Sequence, residues 1–254
     1  MANAYYRTNI GVMPRIFVDK ALQIGQNIEL PSAAARHVVK VLRLGVGQQI
    51  TVFNGRGGEY EAEVCELGRR VTRVTITEFH ANERESPLSI TLVQGISRGE
   101  RMDFTIQKAV ELGVDTIIPF QAQRSTSKLS TERASRRLRH WQGVIYHACE
   151  QSGRNRIPTL TPITDLEQIA TDADGELKLV MSPLGERQLS KIPLGTGAIR
   201  LVVGPEGGLD DHELERLRSA GYEEFRVGPR VLRTETAAIA GITLLQARFG
   251  DLGD

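Results

Sequence analysis

Hydrophobic and polar positions along this chain change rhythm once, near Leu88. Before it, short β-branched runs alternate apolar and polar residues at 15–19, 26–30, 48–54, 58–67 and 69–80. A period of two predicts strands, and the glycine turns at 45–47 and 55–58 separate them. One stretch, 31–44, has helical spacing and predicts a helix capped by Ser32. Many short strands joined by glycine turns predict a small β-barrel. The charged, proline-bearing stretch 80–88 has no periodicity and reads as a linker. Beyond it, strands at 88–94, 116–120, 177–182, 199–203 and 223–227 alternate with helices at 101–113, 131–151, 211–221 and 235–250. That alternation predicts an α/β domain with a mostly parallel sheet covered on both faces. The expected domains are residues 1–84 and 85–254.

Composition narrows this picture only slightly. The 254 residues are 40% hydrophobic, enough for a buried core, and the formal net charge of +1 favours no class of partner. Charge is nevertheless uneven. Between Arg124 and Arg156 eight basic residues stand against two acidic ones, Glu132 and Glu150, which makes either a solvated face or a phosphate-binding surface. In the helix at 131–151, Ala134, Leu138, Trp141, Ile145 and Ala148 form an apolar stripe, and Arg133, Arg136 and Arg139 point largely elsewhere. Two cysteines, Cys65 and Cys149, are too few for a disulfide framework or a zinc cluster, so no metal is expected. No apolar run reaches membrane-spanning length and no signal peptide is visible, so a cytoplasmic protein is expected.

Three late strands end alike. The strand at 177–182 runs into SPLGE (182–186), that at 199–203 into GPEGG (204–208), and that at 223–227 into GPRVLRTETA (228–237). Ligands of α/β sheets bind beyond the carboxyl ends of the strands, where prolines fix turns and glycines admit close backbone approach. One such end is an ordinary tight turn; three in sequence suggest a pocket built mainly of backbone. A nucleotide phosphate would want bare amides and a lysine. This segment offers Glu206, Asp210 and Asp211, and one of the aspartates is expected to cap the next helix with those same amides. A ligand with an adenosine and a positive centre but no phosphate suits it better, and S-adenosylmethionine (SAM) has those properties.

GPEGG followed by VGPRVLRTETAAI (227–239) resembles the signature pair of the SPOUT methyltransferases, whose C-terminus forms a trefoil knot. More closely, MPRIFV, ESPLSITLVQGISRGERMDFTIQKAVELGV (85–114), ACEQSGRNRIP (148–158) and ARFGDL (247–252) resemble the small-subunit ribosomal RNA uridine-N3 methyltransferase family over nearly the whole chain. The resemblance implies an N-terminal PUA-like β-barrel that grips RNA and a C-terminal SPOUT domain with a deep knot, an exception to the rule that chains are unknotted. It implies SAM-dependent methylation of N3 of the uridine equivalent to U1498 in 16S ribosomal RNA, on the small ribosomal subunit. A homodimer is implied as well. Ala237, Ala240, Thr243 and Ala247 are small and helically spaced, which fits either close packing with a second copy or packing onto the core. Carried over by resemblance, the SAM pocket takes Ser182, Pro183, Leu184 and Gly185 as one wall, Val203, Gly204, Pro205, Glu206, Gly207 and Gly208 as the second, and Val227, Gly228, Val231, Leu232, Arg233, Thr236 and Ala237 as the third.

Uracil N3 carries a weakly acidic imide proton, so the protein must position the base, accept that proton and stabilise the negative charge that spreads onto the flanking carbonyls. Arg154 and Arg233 are candidates for the charge, and Glu206 and Glu235 for the proton or for facing the sulfonium. Structural roles compete: a first-turn helix partner for Glu235, a salt bridge for Arg233. Arg15, Arg98, Arg101, Lys108, Arg133, Arg136, Arg139, Arg154 and Arg156 are the candidate RNA-binding cations. Two other functions compete. A catalytically silent RNA-binding or assembly factor would bind RNA and not SAM. A serine hydrolase would use Ser97 of GISRG (95–99), between a predicted strand and helix, with His140, His147 or His212 as base.

Overall fold

The computed structural model describes residues 13–68, 71–124, 130–171, 176–185 and 197–253. Lys128, Glu186 and the first two positions of the predicted strand 69–80 lie outside the described residues. The chain forms two compact units, one running up to Arg84 and taking in Gly153–Ile157, the other holding Glu85–Ser152 and the chain from Pro158 onward.

The first unit is built on a five-stranded sheet with strand order β1-β3-β4-β5-β2. These strands are β1 (Arg15–Phe17), β2 (Asn27–Glu29), β3 (Gln49–Phe53), β4 (Glu59–Leu67) and β5 (Thr72–His80). β1 pairs with β3 in parallel and the remaining pairs are antiparallel. Alternation decides which face is buried. Ile50 and Val52, Ala62 and Val64, and Val74 and Ile76 point to one core with Ile16, Val18 and Ile28. The helix expected at 31–44 is shorter and irregular. α1 (Ser32–Arg36) passes into a single π-helical turn, His37–Val41, and Arg43 follows with φ 54°. Pro31, not Ser32, stands at the N-cap. Only Val38 of this segment is fully buried, so one side chain anchors it and the 3.6-residue period is not enforced.

Gly153–Ile157, inside the span expected for the second domain, folds with the first unit. The Gly57 N–H donates to the Asn155 carbonyl at 3.2 Å, and Asn155 Nδ2 donates to the Asn82 carbonyl at 2.7 Å. Arg15 donates to Asn155 Oδ1 at 2.6 Å, and Arg84 to the Gly153 carbonyl at 3.0 Å. Both arginines also pair with Glu59, whose other oxygen accepts from Asn82 at 3.0 Å. Burial pushes the Glu59 carboxyl up, but hydrogen bonds from Asn82 and Arg15 and the charges of Arg15 and Arg84 outweigh it and hold it below the usual carboxylate range.

The second unit is an α/β layer structure around a six-stranded sheet of order β11-β9-β10-β6-β7-β8, every neighbouring pair parallel. Its strands are β6 (Ser89–Gly95), β7 (Thr116–Phe120), β8 (Thr159–Leu160), β9 (Leu177–Met181), β10 (Ala198–Val203) and β11 (Glu223–Phe225). The helices are α2 (Glu100–Glu111), α3 (Thr131–Ser152), α4 (Leu166–Thr171), α5 (Asp211–Ser219) and α6 (Thr234–Phe249). β8 and α4 are too short to leave a periodic trace in the sequence. Val93, Val180 and Val202 pack with Leu166, Ile169, Leu214 and Leu217, so α4 and α5 cover one face. α6 packs on β10 and β6 and against α2. Its buried positions are Thr234, Ala238, Gly241, Ile242, Leu245 and Gln246, which leaves Ala237, Ala240, Thr243 and Ala247 less covered. The small-residue stripe is therefore not what seats this helix on the core. No helix among the described residues is long and apolar enough to cross a membrane.

Candidate functional site

The register of the sheet explains why three distant segments meet. Gln94 of β6 pairs with Val203 of β10, Val203 with Met181 of β9, and Met181 with Phe225 of β11. Four strands thus finish in one row, and the segments after β9, β10 and β11 leave the same edge side by side. They enclose a cavity of about 670 Å³, within the size range of small-ligand sites. Ser182, Pro183 and Leu184 line it from the first segment and Val203 to Gly208 from the second. Val227, Gly228, Val231, Leu232, Arg233 and Ala237 line it from the third. Gly185 and Thr236, expected on the same walls, do not line it. A Cβ on Gly185 would sit 2.8 Å from the Phe225 backbone, so that glycine packs onto β11 instead. Thr236 is exposed on the first turn of α6.

The Gly-rich wall is held from several sides. A Cβ on Gly95 would come within 2.5 Å of Pro205, so the end of β6 and the wall touch backbone to ring. The Thr234 hydroxyl donates to the Gly204 carbonyl at 2.6 Å and accepts from Gln94 Nε2 at 3.0 Å, tying the start of α6 to both strands. Asp210 caps α5 in a capping box: its Oδ1 accepts the Glu213 N–H at 2.8 Å, and Glu213 Oε2 accepts the Asp210 N–H at 2.9 Å. The Glu213 amide, one of those a phosphate would need, is thus already used. Gly208, at φ 70°, has nothing within 4 Å of a built Cβ, and Gly228, at φ 67°, meets only a tip of Arg230 at 3.8 Å. Bare backbone at these points suits the flat edges of an adenosine.

Three carboxylates and five arginines line the cavity, so it is less acidic than its sequence suggested. The acids are Glu206, Asp211 and Glu235, and the arginines are Arg101, Arg124, Arg226, Arg230 and Arg233. Glu206 Oε1 accepts the Arg98 N–H at 2.9 Å and an Arg101 guanidinium N–H at 3.0 Å. Burial pushes this carboxyl up, but the backbone N–H groups of Arg98 and Glu206 and the bonded, charged Arg101 prevail and hold it below the usual range. Glu235 lines the cavity, and its Oε2 is buried without a hydrogen-bond partner. Sequence reasoning overlooked Arg124, Arg226 and Arg230, although Arg226 and Arg230 stand inside the segments it singled out.

The structure separates the other expected cations. Arg15 is ion-paired and Arg154 is buried. Arg15 is committed to Glu59 and Asn155, Arg154 is only 3% exposed, and Arg154 is not among the residues that line the cavity. Arg156 pairs with Glu83 at 3.6 Å, and Lys108 with Glu111 at 2.8 Å. Arg133, Arg136 and Arg139 stand exposed along α3, whose stripe at Trp141, Ile145 and Ala148 is buried. In the first unit Arg36, Lys40 and Arg43 are among the exposed cations, in a stretch with no acidic residue between Glu29 and Glu59. One group among the described residues has metal-ligand spacing: Glu61, Glu78 and His80. The two ring nitrogens of His80 face different carboxylates, Glu61 at 3.1 Å and Glu78 at 4.0 Å. Ser97 is 3% exposed with its hydroxyl on the Gly95 carbonyl at 3.4 Å; His140 pairs with Asp103 and His147 with Glu150. A nucleophile elbow would present that hydroxyl to solvent and to a histidine.

Residues 84–246 match the family profile of the RNA methyltransferase domain, and residues 30–70 that of the RNA methyltransferase PUA domain. A ribosomal RNA small subunit methyltransferase E of Buchnera aphidicola is 36% identical, over 94% of this chain and 98% of the relative. The solved methyltransferase E of Neisseria gonorrhoeae, bound to S-adenosyl methionine, superposes with a TM-score of 0.88 at 39% identity, covering 94% of this chain and 99% of its own. A Legionella pneumophila methyltransferase solved with bound SAM gives 0.92 at 39% identity, covering 95% and 100%. Fold, cavity and sequence agree: this chain belongs to the ribosomal RNA small subunit methyltransferase E family of RNA methyltransferases.

Proposed function

We propose that the chain methylates N3 of the uridine equivalent to U1498 in 16S ribosomal RNA, acting as a homodimer on the assembled small subunit with SAM as donor. The observation that carries this reading is the cavity itself: three in-register strand ends, a backbone-rich wall, and the Glu235 carboxylate, with one buried unpartnered oxygen, among exposed arginines. Bare glycine backbone suits the adenosine, and Glu206 and Glu235 suit a positive centre. When bound, SAM supplies the methyl group as a sulfonium electrophile. The protein does the rest. Glu235 accepts the imide proton. Arg233 donates to one of the two carbonyl oxygens that flank N3, where the charge of the deprotonated uracil accumulates.

Arg133, Arg136 and Arg139 grip the RNA backbone from the second unit, and Arg36, Lys40 and Arg43 take in the first unit the part expected of Arg15. The target is a splayed nucleotide, since A-form helices hide their base edges. In this reading the five-stranded sheet closes as a PUA-like barrel and α6 threads the knot. A second copy covers the small-residue face of α6 that the core leaves open. The test is mass spectrometry of 16S ribosomal RNA after incubation of small subunits with the protein and SAM. N3-methyluridine at the target position is expected. SAM turnover without it refutes the assignment, and RNA binding without S-adenosylhomocysteine binding favours a catalytically silent factor.

A further inference from the structure

Uracil N3 lies between two carbonyls, and the cavity holds a second arginine whose placement is fixed by a carboxylate. Glu206 belongs to the Gly-rich wall after β10, while Arg98 and Arg101 belong to the segment that leaves β6 and opens α2. That helix begins at Gly99 without a side-chain cap. Glu206 Oε1 instead reaches across and accepts both the Arg98 N–H, at 2.9 Å, and the Arg101 guanidinium, at 3.0 Å. β6 and β10 are adjacent strands, and the winding of the sheet reverses around them, which is where ligands of open α/β sheets bind.

We propose that Glu206 is a positioning residue: its carboxylate fixes Arg101 at the cavity as the donor to the second carbonyl oxygen of the target uracil. The inference rests on the uracil-N3 reading above and completes its charge stabilisation. Arg101 has five N–H donors and spends one on Glu206, which leaves donors for an incoming base. Preorganisation matters because a donor already aimed at the developing charge costs no reorganisation during the reaction. Glu206 itself is a poor proton acceptor, being committed to these donors and holding its charge below the usual range. Arg101 would be the catalytic residue of the pair.

The test compares wild type, Glu206→Gln, Arg101→Ala and the double variant. Glutamine keeps an acceptor oxygen for the Arg98 N–H but removes the charge that holds Arg101. The single-turnover rate of methyl transfer is expected to fall about tenfold to a hundredfold in Glu206→Gln, the weight of one charge-assisted hydrogen bond lost from the transition state. Binding of S-adenosylhomocysteine should stay within about twofold of wild type by calorimetry. Arg101→Ala should lose at least as much rate, and Glu206→Gln should add little on top of it. A Glu206→Gln rate within about twofold of wild type, or equal losses in rate and cofactor-product binding, overturns the proposal. The Arg101 Nε–H signal in 15N spectra gives a readout that does not depend on the reaction: restricted in wild type, motionally averaged in Glu206→Gln. If wild type makes no N3-methyluridine, the uracil reading fails. The positioning claim is then still judged by that signal, and unchanged Arg101 mobility sinks it.

Discussion

Replacing Gly95 with alanine tests whether the end of β6 sets the position of the cavity wall. The added Cβ would lie 2.5 Å from both Cδ and N of Pro205 and 2.9 Å from the Gly204 carbonyl carbon. Ordinary contact begins near 3.4 Å, so strand or wall must move by about 0.9 Å. Neither yields easily. The Gly204 carbonyl is held by Thr234, Glu206 by Arg98 and Arg101, and Pro205 is a rigid ring. Overpacking of this kind costs about 1–3 kcal/mol of stability. Because the displaced atoms form the wall, binding of S-adenosylhomocysteine should also weaken, by about tenfold for each 1.4 kcal/mol that reaches the site. Urea denaturation and calorimetry measure the two effects separately. Gly208→Ala is the control: nothing lies within 4 Å of its Cβ, so only the positive φ opposes it, at about 1 kcal/mol. If Gly95→Ala keeps wild-type stability to about 0.5 kcal/mol and binds the product within about twofold, the contact does not position the wall and the reasoning fails.

Further outcomes follow from other parts of the molecule. Glu235→Gln should lower the rate of methyl transfer about a hundredfold or more while leaving S-adenosylhomocysteine binding intact, as single-turnover kinetics and calorimetry would show. A triple alanine replacement of Arg133, Arg136 and Arg139 should weaken RNA binding at low salt and reduce the slope of log affinity against log salt by about two to three, measured by fluorescence titration. Glu59→Gln should destabilise the protein by about 3 kcal/mol at neutral pH, since it leaves Arg15 and Arg84 without their counter-charge. The folded-state carboxyl of Glu59 is held low, so its contribution is present above the usual carboxylate range and is lost as pH falls through the folded value. Denaturation midpoints of wild type and variant should therefore converge on acidification, and a gap that widens would contradict the ion-pair account.

Local chemistry made much of this legible. Period-two runs located β1 to β5, and glycine–proline breaks marked the strand ends that the sheet then places in one row. A cap at Asp210 or Asp211 was readable because capping is a local pattern, and the structure selects Asp210. What escaped depends on partners far away in sequence. Glu206 finds Arg98 and Arg101 more than a hundred positions earlier, and no spacing rule links them. Arg15 and Arg154 looked like free cations because neither Glu59 nor the excursion of Gly153–Ile157 can be inferred from their neighbours. The helix expected at 31–44 is shorter and ends in a π-helical turn because propensity and pattern cannot reveal that a single buried valine anchors it.

The return of Gly153–Ile157 to the first unit bears on how such a protein can be taken apart. A fragment cut after Arg84 would keep Arg15, Glu59 and Arg84 but lose the Asn155 side chain and the Gly153 carbonyl that share their donors. A fragment starting at Glu85 would carry those five residues with nothing to hold them. A cut at the Arg84–Glu85 boundary therefore yields no self-contained cassette for grafting, because the donors and their acceptors end up on different pieces.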